Sequence, residues 1–358
     1  MSTSWGFYNP VQIHFGLGKV KKLPSFVGND SSKLIVTTSG HVSRAGVGGL
    51  EEQLGLKDYF VFDKVVPNPD IESILRCVDE FSDEKISSVV SIGGGSVIDT
   101  GKTVALMLAN KNAELRDLLV DASHVKSLPH FAIPTTSGTG AEVTPFATIW
   151  DQKNKKKHSL SGVSVYPAMA VLDPKLTQFL PEKETVITAL DTISHALESL
   201  WNIGRTPITE SFACKSLRSS LSALPEVLRE PGCIKSRTKL MEASLLAGMA
   251  ISQTKTAMAH SISYPLTSYF GVPHGLACSF SLSRIITLYA TQNKSDHVVP
   301  LMIDVQSLLD SLGLQTMLGR YVNQRDLDEL KCKMFNPSRA GNFTVKDFEI
   351  KDLVDFEL

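Results

Sequence analysis

Cysteine is scarce in this chain: Cys77, Cys214, Cys233, Cys278 and Cys332 are the five in 358 residues. They are odd in number and scattered, with no Cys-x-x-Cys pair, which argues against a disulfide framework and predicts reduced thiols in a cytoplasm. Excess charge is missing too. A formal net charge of −1 speaks against a nucleic-acid or membrane-surface partner, the local run Lys153 to Lys157 notwithstanding. No stretch approaches the roughly 20 apolar residues that cross a bilayer. The opening MSTSWGFYNPVQIHFG lacks the basic and apolar regions of a secretory leader. Internal repeats and low-complexity linkers are absent as well. What remains, 42% hydrophobic and 20% charged residues, is the composition of a soluble globular protein, long enough for two domains.

The first half alternates strand and helix signals. VQIHFG (11–16), KLIVTTSG (33–40) and YFVFDKV (59–65) read as strands running into loops. IESILRCVDEF (71–81) places apolar residues at 71, 74, 75 and 78, one face of a helix. The alternation predicts an α/β domain with a largely parallel sheet. From Thr177 onward helix-length patterns dominate, in 208–228 and 237–253 among others. The reading is therefore an α/β domain over 1–176 and an all-helical domain over 177–358, with a metal site in the cleft between them. The small residues of the helical half predict close helix packing.

Two loops suit an anion. In ISSVVSIGGGSVIDTGKTVALMLA (86–109) an apolar strand runs into Gly93-Gly94-Gly95-Ser96 and then straight into a helix. Glycines let backbone approach a ligand, and a helix start offers free N–H groups to a pyrophosphate. G-x-G-x-x-G is absent, and Lys102 lies too far along for a Walker A loop; a tight strand-to-helix turn is the competing reading. In HFAIPTTSGTGAEVTPFATIWD (130–151) a strand ends at Pro134, and Thr135, Thr136, Ser137 and Thr139 surround two glycines. Hydroxyls and backbone N–H groups there suit phosphate, ribose or a carboxamide. QKNKKKHS (152–159) reads as a hairpin tip.

Asp191 and His195 are four apart in a helical pattern and so leave one face together. His260 precedes a Pro-containing break, and His274 stands in Pro-His-Gly fourteen residues later. One carboxylate and three imidazoles suit Fe(II), Zn(II), Ni(II) or Co(II) and leave room for a substrate oxygen. The set is read without any cysteine nearby. Spacing alone also allows ordinary buried or surface histidines.

Taken together and in order, GGGSVID, PTTSGTGAEVT, DTISHALES and AHSISYPLTSYFGVPHG resemble the iron-containing, metal-dependent alcohol dehydrogenase family across nearly the whole chain. The resemblance implies an N-terminal Rossmann-like domain, a helical C-terminal domain and NAD(P). It puts Asp191, His195, His260 and His274 on the family's metal ligands, and Gly94, Gly95, Ser96 and Asp99 on its pyrophosphate loop. Thr135, Thr136 and Thr139 fall on the second nucleotide loop, and Lys157 on a basic residue near the cofactor. It also implies a small aldehyde or alcohol substrate and a homodimer or larger homo-oligomer.

Three departures stand out. Where many members carry an Asp that meets the adenosine ribose, this chain has Thr38 and Ser39 after Val36-Thr37, which repel no 2′-phosphate and allow NADP as well as NAD. A His four residues after the third ligand is replaced by Tyr264, a candidate hydrogen-bond donor or proton relay, or a pocket wall. The C-terminus looks short, which puts the closing helices in question. AHSISYPLTSYFG is similar to the branch that reduces phosphonoacetaldehyde to 2-hydroxyethylphosphonate, for which Arg205 and Lys255 are candidate cations. The competing functions are a dehydroquinate-synthase-like lyase that uses NAD without net turnover, and a nucleotide-binding sensor without chemistry.

Overall fold

The computed structural model describes residues 4–28, 32–45, 49–122, 125–154 and 156–355, so Lys155 of the basic run lies outside the described residues. It divides into two compact units. The sheet unit comprises the described residues of Asn9–Thr136 and Ala141–Phe179. The helical unit takes Ser137–Gly140, the described part of Leu180–Leu358 and the described residues up to Tyr8.

In the sheet unit, β1 (Gln12–Phe15), β2 (Lys33–Val36), β3 (Tyr59–Phe62), β4 (Ser88–Gly93), β5 (His130–Pro134) and β8 (Met169–Leu172) form one sheet in the order β1-β8-β5-β4-β2-β3. All its pairings are parallel. Between β5 and β8, β6 (Phe146–Asp151) and β7 (Lys156–Ser161) make an antiparallel hairpin. The sheet unit's helices are α1 (Leu23–Val27), α2 (Ser39–Arg44), α3 (Gly49–Leu54), α4 (Ile71–Phe81), α5 (Gly95–Ala109) and α6 (Leu115–Val120).

Period-2 side-chain alternation explains the unbroken apolar runs of the central strands. Leu34, Val36 and Val89 enter the core on one face, while Ile35, Val90, Ile92 and Ile133 enter the core on the other. The edge strands β1 and β3 are less buried. Helix α4 spans the residues its periodicity predicts. Asp70 caps it by accepting the Ser73 N–H at 2.7 Å, and Ile74, Cys77 and Phe81 are buried.

The helical unit contains α7 (Glu182–Leu200), α8 (Pro207–Arg229), α9 (Ile234–Thr254), α10 (Met258–Phe270), α11 (His274–Ser279), α12 (Leu282–Gln292) and α13 (Val299–Ser311). Four short helices follow: α14 (Leu314–Leu318), α15 (Gln324–Leu330), α16 (Pro337–Ala340) and α17 (Lys351–Val354). Glu182 and Glu184 in the first turn of α7 favour its positive end. Pro207 at the start of α8, with Thr206 and Thr209 capping each other, sets the next helix. Small side chains let helices approach: Ser216 of α8 donates to the Ala243 carbonyl of α9 at 2.8 Å. After α13 the described chain adds these short helices, and Leu327, Phe343 and Leu353 fill the core. Among the described residues no helix is long and apolar enough to cross a membrane.

One expectation fails locally. Pro265 lies inside α10 rather than breaking it. An internal proline costs about 3 kcal/mol or more of helix stability, but the fully buried Ile262 and Leu266 on either side pin both halves into the same core.

Candidate metal centre and nucleotide loops

Asp191 and His195 lie one turn apart on α7, with His195 Nε2 3.6 Å from Asp191 Oδ1. The start of α10 brings His260 Nε2 to 3.6 Å from the same oxygen and 3.1 Å from His195 Nε2. The first residue of α11, His274, puts its Nε2 3.8 Å from Asp191 Oδ1. Close backbone contact makes this possible, because a Cβ on Gly275 would stand 1.9 Å from the Ile187 carbonyl oxygen of α7. The four residues singled out from spacing therefore converge on one point, all within the helical unit.

Asp191 Oδ1 is buried and has no hydrogen-bond partner. Leaving a buried acceptor unmade costs about 1–3 kcal/mol, and more for a charged group. An oxygen so placed, with three imidazole nitrogens around it at 3.6–3.8 Å, fits a divalent ion in its midst. Burial alone would raise the Asp191 carboxyl, but the neighbouring imidazoles of His195, His274 and His260 outweigh it and hold the group well below the usual carboxylate range. Burial is the largest influence on His195 and lowers its pKa to about 4. The side chain of His274 is the exposed member, at 32%, against 4–6% for the other three.

Two further residues join the cluster. Glu198, fully buried on α7, accepts the His260 backbone N–H at 3.1 Å and lies 2.5 Å from His260 Nδ1. A carboxylate on one ring nitrogen turns the other toward the Asp191 side, the usual way a protein aims a metal-binding imidazole. Burial opposes charge on His260, yet Cys278, Glu198 and Asp191 beside it hold its pKa well above the ordinary value.

The second is Cys278, whose Sγ lies 3.6 Å from His274 Nε2 and 3.7 Å from its Nδ1. The donor atoms of Asp191, His260, His274 and Cys278 all fall within 4.8 Å of one another. The expectation of a set with no cysteine nearby is thus corrected. Cys278 is four residues after His274 in one short helix, so the same i, i+4 rule that paired Asp191 with His195 brings it in.

Tyr264 follows His260 by one turn of the continuous α10 and is half-buried. The Arg339 guanidinium carbon stands 5.9 Å from the centre of its ring. Arg205, a candidate cation for an anionic substrate, is already paired within the protein. Its Nη2 lies 2.7 Å from Glu210 and its Nη1 2.6 Å from Asp296, where Tyr289 also donates to Asp296 at 2.6 Å. With its side chain only 8% exposed, this guanidinium is enclosed by carboxylates. Lys255 is exposed at the C-terminal end of α9, with φ 63.

In the sheet unit the strand order turns back between β2 and β4, because β3 lies on one side of β2 and β4 with β5 on the other. The carboxyl ends of β2 and β4 are therefore the switch point at which open α/β sheets bind ligands. Thr38 and Ser39 follow β2, Gly94, Gly95 and Ser96 follow β4, and Thr135 and Thr136 follow β5. The Thr135 N–H donates to the Gly93 carbonyl at 3.0 Å, and the Thr37 hydroxyl to the Ile92 carbonyl at 2.8 Å. Gly93 is fixed by packing, since a Cβ there would lie 2.5 Å from Val97. Thr38 caps α2, and the Ser96 hydroxyl accepts the Asn68 N–H at 3.3 Å.

Asp99, on α5, accepts the Thr148 N–H of β6 at 2.8 Å, so its carboxylate anchors the hairpin. Lys157 lies on β7, its Nζ 5.7 Å from the Trp150 ring centre. Thr139 belongs with the helical unit. Beside it, Gly138 accepts from the Thr192 hydroxyl at 3.1 Å.

The family model described as iron-containing alcohol dehydrogenase matches residues 10–174, and that of the C-terminal part of the same family matches 185–346. Alcohol dehydrogenase 4 of Saccharomyces cerevisiae is 32% identical over 291 residues, 80% of this chain and 76% of the yeast protein. A sulfoacetaldehyde reductase of Bilophila wadsworthia is 32% identical over 323 residues, 89% of this chain and 83% of the relative. Among solved structures, a sulfoacetaldehyde reductase from Bifidobacterium kashiwanohense in complex with NAD+ superposes with a TM-score of 0.85 at 27% identity, covering 98% of this chain and 96% of that one. An iron-containing alcohol dehydrogenase from Thermotoga maritima does so with a TM-score of 0.80 at 29% identity, covering 98% and 97%.

Proposed function

We propose that this chain, which belongs to the iron-containing alcohol dehydrogenase family, interconverts a small aldehyde and its alcohol with NAD(P)H at a divalent ion held by Asp191, His195, His260 and His274. The observation that carries the reading is the buried, unpartnered Asp191 Oδ1 facing three imidazoles. When bound, the ion, Fe(II) or Zn(II) or another divalent metal, supplies Lewis acidity to the carbonyl oxygen, and the reduced nicotinamide supplies the hydride.

The chain's own residues position and protonate. Gly94, Gly95 and Ser96 at the switch point receive the pyrophosphate, with Asp99 and Lys157 holding the hairpin beside them, and Thr135, Thr136 and Thr139 orient the nicotinamide half. Thr38 and Ser39 take the adenosine ribose without repelling a 2′-phosphate, so NADPH is accepted as well as NADH. Tyr264, one turn beyond His260, relays the proton to the product alcohol. A cytoplasmic homodimer or larger homo-oligomer completes the reading, and light scattering of the purified protein tests the assembly.

For the substrate we favour a short aldehyde bearing an acid group, phosphonoacetaldehyde being the finer candidate. The resemblance of AHSISYPLTSYFG and the similarity to sulfoacetaldehyde reductases support this. Since Arg205 is enclosed by carboxylates, Arg339 beside Tyr264 is the cation we assign to that acid group.

The test is anaerobic oxidation of NADPH and of NADH by the metal-loaded protein, with phosphonoacetaldehyde, sulfoacetaldehyde and propanal. Turnover that disappears in His274→Ala while nucleotide binding stays supports the reading. Arg339→Ala should raise KM for the two acidic aldehydes and leave propanal unchanged. Absence of nicotinamide oxidation with every aldehyde would overturn it in favour of a lyase or a sensor.

A further inference from the structure

The four expected ligands leave one neighbour of the centre without a role. Cys278 is fully buried on α11, and its Sγ shares a 4.8 Å circle with the donor atoms of Asp191, His260 and His274. A lone buried thiol beside imidazoles is an ordinary packing feature. Here, however, the same cluster contains a carboxylate oxygen that is buried and has no hydrogen-bond partner, on a side chain only 5% exposed.

The spacing suits coordination. A Zn–S bond of about 2.3 Å and a Zn–N bond of about 2.0–2.1 Å at the roughly 90–120° angles of a five- or six-donor site set sulfur and nitrogen about 3.1–3.8 Å apart. Cys278 Sγ lies 3.6 Å from His274 Nε2 and 3.7 Å from its Nδ1, so the separation is within that range and a turn of the imidazole aims Nε2 and Sγ at one ion.

We propose that Cys278 Sγ is a further donor to the ion at this centre, making it a mixed carboxylate, imidazole and thiolate site. The inference rests on the metal reading given above. On binding, the S–H bond breaks as the S–metal bond forms, and the proton leaves to solvent.

Cys278 is fully buried, whereas the His274 side chain is 32% exposed. The chemical consequence of a sulfur donor is selectivity. A thiolate favours thiophilic ions such as zinc and cobalt over manganese or magnesium, which carboxylate and water suit better.

The experiment is Co(II) titration of the metal-free full-length chain, followed in the visible and near-ultraviolet, for wild type and Cys278→Ser. The expected result is a sulfur-to-cobalt charge-transfer band in wild type that is absent from Cys278→Ser while the ligand-field bands remain. Zinc affinity should fall by about tenfold or more, a loss that even outer hydrogen-bond partners of ligands can cause, with manganese affinity unchanged. Co(II) binding without the band, or a band that survives Cys278→Ser, overturns the inference and leaves the metal reading standing. Failure of Co(II) to bind at all overturns the metal reading itself. Should Cys278→Ser fail to fold, X-ray absorption of the zinc-loaded wild type decides, with a sulfur neighbour at about 2.3 Å expected and a shell of nitrogen and oxygen alone refuting it.

Discussion

Glu198 is held between α7 and the start of α10, taking both the backbone N–H and the ring of His260. Removing its charge while keeping its shape should free the ring to rotate. Glu198→Gln is therefore expected to weaken zinc binding by about 10–100-fold, measured by competition with a chromophoric chelator, and Glu198→Asp to recover part of the loss. Equal affinities in all three proteins would reduce Glu198 to packing. The four expected ligands were legible because their residue types are chemically distinctive and one pair repeats at helical spacing. Glu198 was not: a glutamate three residues after His195 reads as an ordinary helix charge, and only the approach of α10 gives it a partner. Cys278, four residues after His274, obeys the same spacing rule, but a cysteine in an apolar run also reads as core, and only the convergence of α7, α10 and α11 sets it beside the other donors.

At the scale of elements, α11 is short and depends on one residue for its seat. Gly275 lies so close to the Ile187 carbonyl of α7 that any Cβ would collide at 1.9 Å. Gly275→Ala should push α11 away from α7, lower stability by several kcal/mol, in the range of overpacking and strain, and lower metal affinity along with it. Gly232→Ala, with nothing within 4 Å of the added carbon, serves as the neutral control. Denaturant midpoints and a zinc titration read both effects, and a stable Gly275→Ala protein with native zinc affinity would show that α11 has slack. The parallel strands and α4 were readable from period and punctuation, since burial on both faces forces unbroken apolar runs. The passage of α10 through Pro265 was not, because local propensity opposes it and only the surrounding core overrides it. Nor could periodicity show which strands are neighbours, and it is the pairing of β4 with β5 that brings the glycine and threonine loops to adjacent strand ends.

For the molecule as a whole, the sheet unit carries a buried ionisable group whose cost depends on acidity. His130 is 2% exposed, with Nε2 2.9 Å from the Ser91 hydroxyl and Nδ1 unpartnered. Burial, and secondarily Lys102, lowers its pKa from 6.5 to about 3. Between these values the unfolded chain takes up a proton that the folded chain refuses. This contribution to stability is thus full above pH 6.5 and is lost as pH falls toward 3, by about 1.4 kcal/mol per pH unit. Urea midpoints of wild type and His130→Gln, compared from about pH 7 down to about pH 4, should diverge in that direction. A difference that stays constant would mean that the imidazole titrates normally.

The segment Ser137–Gly140 belongs with helices encoded further along the gene. As the chain leaves the ribosome, β1 to β5 emerge first, then this segment, then the rest of the sheet unit. Thr188 and Gly248, against which Gly138 and Gly140 pack at distances no side chain would allow, emerge only afterwards. A nascent chain paused after Phe179 has every strand of its sheet but a loop whose seat has not yet been made. Neither unit corresponds to one uninterrupted stretch of message, so the helical unit can close only by folding back onto segments translated before and within the sheet unit.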